Sequence, residues 1–86
     1  MFFVYILESQ KDYKLYTGFT PDDPDKRTKK HNKGLVPSTK KRIPFNLVYF
    51  EASMNQDDAL RREKYFKTTA GKRAIKHMLR KTLKKK

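Results

Sequence analysis

The chain has 86 residues, room for one compact domain near the small end of the range in which burial outweighs conformational entropy, and too few for a second. Its 22 Lys and Arg against nine Asp and Glu give a formal net charge of +13, the footprint of a polyanion binder rather than of a surface charged only for solubility. The lack of cysteine excludes disulfides and thiolate-bound zinc. The apolar run Phe2 to Leu7 is too short to span a bilayer and lacks the flanks of a cleaved signal, so the expectation is a cytoplasmic or nuclear protein with no membrane partner.

Phe2 to Glu8 (FFVYILE) is a continuous apolar run that predicts a central, buried strand. Ser9 to Lys14 has the polar composition of a hairpin loop, and Leu15 to Thr20 returns as the second strand. If Leu7 lies opposite Tyr16, then Tyr5 lies opposite Gly18, and Tyr5, Tyr16 and Gly18 share one face of the sheet. Two readings stay open for the tyrosines. They are ordinary core, or they belong to a site approached closely over Gly18, since a glycine inside a strand often marks such an approach.

Pro21 to Asp25 has the Asp and Pro content of a turn leading into a helix. From Asp22 to Lys33 there is no large apolar residue, so the usual reason for a surface helix, a stripe facing a core, is missing. Arg27 and His31 stand four apart on one face, and Gly34 is placed to end the helix. Leu35 to Arg42 (LVPSTKKR) is a basic loop suited to phosphate contacts or to plain solvent exposure.

After Pro44, Phe45 to Glu51 predicts a third strand with Phe45, Leu47 and Tyr49 on one face and Val48 and Phe50 on the other. Ser53 or Asn55 caps the next helix, Asp57 and Asp58 suit its first turn, and it runs to about Phe66 with Ala59, Leu60 and Phe66 inward. Thr68 to Gly71 reads as a break. Lys72 to Leu83 reads as a last helix with a stripe of Ile75, Met78 or Leu79, and Leu83, its other face nearly all Lys and Arg. That helix has no exposed Trp or Phe, which argues against a membrane-surface role. His77 has no second ligand at metal spacing and reads as a surface residue. Lys84 to Lys86 reads as a solvated tail behind a single domain of residues 1–83.

Most of the acids have adequate roles in turns, at helix starts or at strand ends. Glu63 is left, in mid-helix, three residues after Leu60 and three before Phe66, on or near the inward face. It is either tied up with Arg61, Arg62 and Lys64 in local ion pairs, which contribute little, or it holds a divalent cation, because magnesium takes one or two carboxylates plus water and phosphate oxygens.

Val4 to Leu7, Tyr16 to Gly18, Arg27 and His31, and Arg62 and Glu63 ahead of Phe66 and Lys67 together resemble the GIY-YIG nuclease superfamily, in particular its short single-domain bacterial members. The resemblance covers nearly the whole chain. It implies an α/β (α+β) fold, a small three-stranded antiparallel sheet flanked by three helices, and hydrolysis of a phosphodiester with one magnesium or manganese ion. Tyr5 matches the tyrosine of the first triplet, Tyr16 and Gly18 the second triplet, Arg27 the catalytic arginine, His31 a position often filled by histidine, and Glu63 the metal-binding glutamate. The first triplet here is Phe3, Val4 and Tyr5, and Thr17 replaces the usual isoleucine. No Asn follows Asn55, whereas larger members carry one after the glutamate.

On this reading the chain is a metal-dependent endonuclease acting on nucleic acid, DNA in preference to RNA, as a monomer or weak dimer. Arg27 neutralises the scissile phosphate, Glu63 holds the metal, and Lys30, Lys40, Lys41, Arg42 and Lys67 contact other phosphates. Tyr5 orients or deprotonates the attacking water, which requires nearby cations to lower a phenol pKa of about 10, and His31 shares proton transfer. The alternative is a nucleic acid binding module that keeps the fold without cleaving.

Overall fold

The computed structural model describes residues 1–83, so Lys84 to Lys86 and the tail expected there lie outside the described residues. The apolar run at the start forms β1 (Phe2–Ser9), and Leu15–Thr20 forms β2. A third strand, β3 (Phe45–Ser53), completes an antiparallel sheet of order β2-β1-β3, with β1 in the centre, where its continuous hydrophobicity is satisfied on both faces. The hairpin register is the expected one, Leu7 opposite Tyr16 and Tyr5 opposite Gly18.

β3 departs from simple alternation. Ile6 pairs with Tyr49 but Leu7 pairs with Leu47, so Val48 is an extra residue in a bulge. One residue of slip turns every following side chain over. Phe45 and Leu47 therefore share the face of Tyr5 and Leu7, while Val48 and Tyr49 join Val4 and Ile6 on the other. The expected grouping of Phe45, Leu47 and Tyr49 fails for this reason.

Three helices cover the sheet. α1 (Pro24–Asn32) lies against β3 and β1, whereas α2 (Gln56–Phe66) and α3 (Thr69–Met78) pack on each other and α2 meets all three strands. Val4 and Ile6 bury against Ala59, Phe66, Ile75 and Leu79, and a second cluster of Tyr5, Leu7 and Phe45 lies on the opposite face.

Asn55 caps α2 by accepting from the backbone N–H groups of Asp57 (2.8 Å) and Asp58 (3.3 Å). Leu60 is exposed rather than inward, because Ala59 takes the buried position and Leu60 is rotated about 100° from it. α3 begins before the expected Lys72. Thr68 is its cap, accepting from Gly71 N at 3.0 Å, and Gly71 sits inside the helix because a Cβ there would collide with the Tyr65 carbonyl and the Phe66 Cα. The stripe of α3 is Ile75 and Leu79, with Met78 exposed, and the helix stops at Met78 instead of Leu83. His77 is exposed. Among the described residues no helix is long and apolar enough to cross a membrane.

Candidate active site

α1 has no large apolar side chain with which to adhere, and only Pro24, Thr28 and His31 are buried in it. It starts on the Asp23 carboxylate, which accepts from Asp25 N at 2.9 Å, and closes at Gly34, whose N–H donates to His31 O at 2.9 Å while Leu35 N reaches Lys30 O at 3.2 Å. Polar contacts fix it to the sheet. The Asn32 side chain donates to Phe45 O (3.0 Å) and accepts from Phe45 N (2.7 Å), pairing with β3 as another strand would. His31, fully buried, lies 2.8 Å from the Tyr5 hydroxyl through Nε2 and 2.8 Å from Thr39 Oγ1 through Nδ1.

The Tyr5 ring lies over Gly18, where a Cβ would fall 2.5 Å from the phenol carbon and oxygen. Gly18 thus gives Tyr5 the space to bring its hydroxyl to α1. There Arg27 Nε donates to the phenol oxygen at 3.4 Å. Arg27 can only donate and the Val36 carbonyl can only accept, which sets the direction of the chain between them. Tyr5 O–H donates to His31 Nε2, His31 Nδ1–H donates to Thr39 Oγ1, and Thr39 donates to Val36 O at 3.4 Å. Tyr16 closes the cluster, its ring 5.2 Å from that of His31 and 6.4 Å from that of Tyr5.

Burial, and then the Arg27 cation, lower the His31 pKa to about 4, so the imidazole is neutral at pH 7 and free to accept at Nε2. Burial also raises the Tyr5 pKa, outweighing the hydrogen bond and charge of Arg27, with the Tyr16 and Glu63 charges adding to the rise. The neighbouring cation Arg27 does lower it, as expected, but by less than burial raises it.

Glu63 is half-buried and close enough for its charge to be felt at Tyr5. Its direct partner is Lys67 Nζ at 2.9 Å, not the cations beside it in sequence. Arg62 instead grips Glu51 through two nitrogens at 2.7 and 3.0 Å, and Arg61 pairs with Asp58. Among the described residues there is no group of three or more His, Cys, Asp or Glu able to hold a metal. The donor set at Glu63 is one hard carboxylate. That does not suit a closed structural site but fits an ion that fills its remaining positions with water and phosphate oxygens, as magnesium does.

Of the residues expected to meet phosphates, Lys30, Lys40 and Lys41 are exposed. Lys67 is held by Glu63. Arg42 lies 3.1 Å from Asp12 in the hairpin loop and over the Phe45 ring, so it ties two loops together while its side chain stays partly exposed. Asn32 and Thr39 carry much of the geometry and were not anticipated. Thr39 lies in the loop read as a phosphate binder, and neither residue shows a periodicity that would reveal its partner.

Residues 1–77 match the family model described as the GIY-YIG catalytic domain. A UPF0213 protein of Clostridium perfringens is 47% identical over 68 residues, covering 78% of this chain and 71% of its own length. One from Staphylococcus saprophyticus is 40% identical over 75 residues (86% and 89%), and one from Pediococcus acidilactici 35% over 80 residues (90% and 80%). No solved structure matches significantly.

Proposed function

The chain belongs to the GIY-YIG family, a family of nuclease domains, and from that premise we propose that it is a metal-dependent endonuclease that hydrolyses phosphodiesters of nucleic acid, DNA in preference to RNA. The observation that carries this reading is the convergence of Tyr5, Tyr16, Arg27 and His31, from two strands and a helix, on one hydrogen-bonded cluster with a half-buried carboxylate nearby.

Glu63 would hold one magnesium or manganese ion, which when bound supplies Lewis-acid stabilisation of negative charge on phosphate oxygens. Arg27 places a cation beside the Tyr5 oxygen and can neutralise a phosphate bound there. A phenol with a raised pKa is a poor base by itself. Its partner resolves the difficulty: as the Tyr5 oxygen takes a proton from an attacking water, Tyr5 can pass its own proton to the neutral His31 Nε2 at 2.8 Å, so that no phenolate forms. Thr39 holds the imidazole in the tautomer this transfer needs.

The test is incubation of purified protein with labelled single-stranded, duplex and branched DNA and RNA, with and without magnesium or manganese, beside the Arg27→Lys variant. The expected result is metal-dependent cleavage of a DNA substrate that falls sharply in the variant, because an ammonium cannot reproduce the planar fork. Tight binding with no cleavage under any metal would make the chain a binding module instead.

A further inference from the structure

Beside the cluster a groove of about 890 Å³ follows the free edge of β2 from the hairpin tip to α3. Its floor is apolar, formed by Leu15, Phe66, Ile75 and Leu83, with Phe66 and Ile75 themselves buried. Its rim carries Lys14, Lys72, Lys76 and Arg80. Glu8 is the one acid among the described lining residues and is only 8% exposed. At the mouth stands Tyr13, held at the hairpin tip by its N–H to Ser9 O (2.8 Å) with φ at 59°, a left-handed conformation that bulky side chains rarely adopt, the residue 46% exposed.

We propose that this groove binds an unpaired strand of nucleic acid, so that the substrate is single-stranded or carries a single-stranded arm. The proposal rests on the nuclease reading of the adjoining cluster. A duplex keeps its bases stacked and paired inside and offers a protein mainly phosphates, which would meet the rim and leave the floor wet. An unpaired strand presents both flat apolar bases for the floor and for Tyr13 and phosphates for the lysines, the combination found in grooves that take single strands. An anionic lipid surface needs apolar side chains that protrude, and here they are recessed. Two residues join the groove to the cluster. Tyr16 lines the groove and stacks edgewise on His31, and Lys67 lines it and pairs with Glu63. A strand lying in the groove therefore leads to Arg27 and Tyr5.

The test compares Lys76→Glu with Arg73→Glu. Arg73 is exposed on the same helix but outside the groove, so the two variants change net charge equally. Binding of a labelled single-stranded DNA and of a duplex of the same sequence is followed by fluorescence anisotropy in EDTA, with thermal melts as folding controls. Lys76→Glu is expected to weaken single-strand binding by roughly tenfold and Arg73→Glu by no more than about twofold, with no such contrast for the duplex. Tyr13→Ala should lose about fivefold or more on the single strand alone. Equal losses for the two charge reversals overturn the proposal, as does a Lys76-specific loss seen with phosphatidylserine vesicles and not with DNA. Cleavage of duplex by wild type together with equal losses sinks the groove and leaves the nuclease reading standing. Groove-dependent binding with no cleavage under magnesium or manganese supports the groove and sinks the nuclease reading.

Discussion

His31 shows how burial sets chemistry at the scale of one residue. Its folded pKa of about 4 lies below the ordinary 6.5, so in the pH range between them the unfolded chain binds a proton that the native chain does not. Stability from this source is full above about pH 6.5 and is lost as pH falls toward 4. Between pH 7 and pH 5 the loss should be about 2 kcal/mol. Melts of wild type and His31→Gln at both pH values check it, the variant showing a flatter dependence across that interval. Glu63 poses the opposite question, since two roles compete for one carboxylate. In Glu63→Gln only an i,i+4 pair with Lys67 is removed from the fold, costing roughly 0.5 kcal/mol or less. Metal-dependent cleavage should nevertheless fall by on the order of a hundredfold. Unchanged cleavage in the folded variant would leave Glu63 as Lys67's partner and nothing more.

The elements differ in how far the sequence reveals them. The bounds of β2, the hairpin register and the end of α2 at Phe66 were readable because propensity, turn residues and pattern act over a few neighbours. The β3 bulge was not, since FNLVYFE fits unbroken alternation equally well and only pairing with β1 shows that Val48 is extra. The Thr68 to Gly71 segment looks like a break, yet Thr68 is a cap and Gly71 a point of close packing between helices. Tyr5, Tyr16, Arg27 and His31 could be named from spacing and resemblance. What holds them could not, because the partners of His31 and Asn32 are single atoms far along the chain. Asn32→Ala should therefore cost roughly 1–3 kcal/mol by leaving the Phe45 N–H and C=O without their partner, a large effect for a polar residue at a helix end. Urea unfolding measures it, and a loss within a few tenths would mean that water replaces the side chain at no cost.

For the whole molecule the dominant quantity is charge. At +13 on 86 residues, binding to nucleic acid should be governed by release of counterions, with the logarithm of the affinity falling linearly in the logarithm of salt concentration. For a site spanning six or more phosphates, affinity should drop by roughly a thousandfold between 50 and 200 mM salt. Titrations of a labelled oligonucleotide across that range test it, and a flat response would return the charge to a role in solubility. The sheet itself is a plain scaffold, and the proposed groove and site lie along its β2 edge and beneath the helix laid across its Tyr5 face.

α1 is secured mainly by directed polar contacts and brings little hydrocarbon of its own, so lifting it uncovers the aromatic patch of Tyr5, Tyr16 and Phe45 around His31 but leaves the core on the other face of the sheet closed. Amide exchange at residues 27–31 should then proceed through a local opening that depends on denaturant less steeply than exchange at Val4 to Leu7, which follows global unfolding. In that case Arg27 and His31 ride on a part that opens ahead of the rest of the fold. A bound phosphate chain that engages Arg27 would suppress that exchange selectively, and some of the affinity for substrate would be used to seat a helix rather than to hold a ligand.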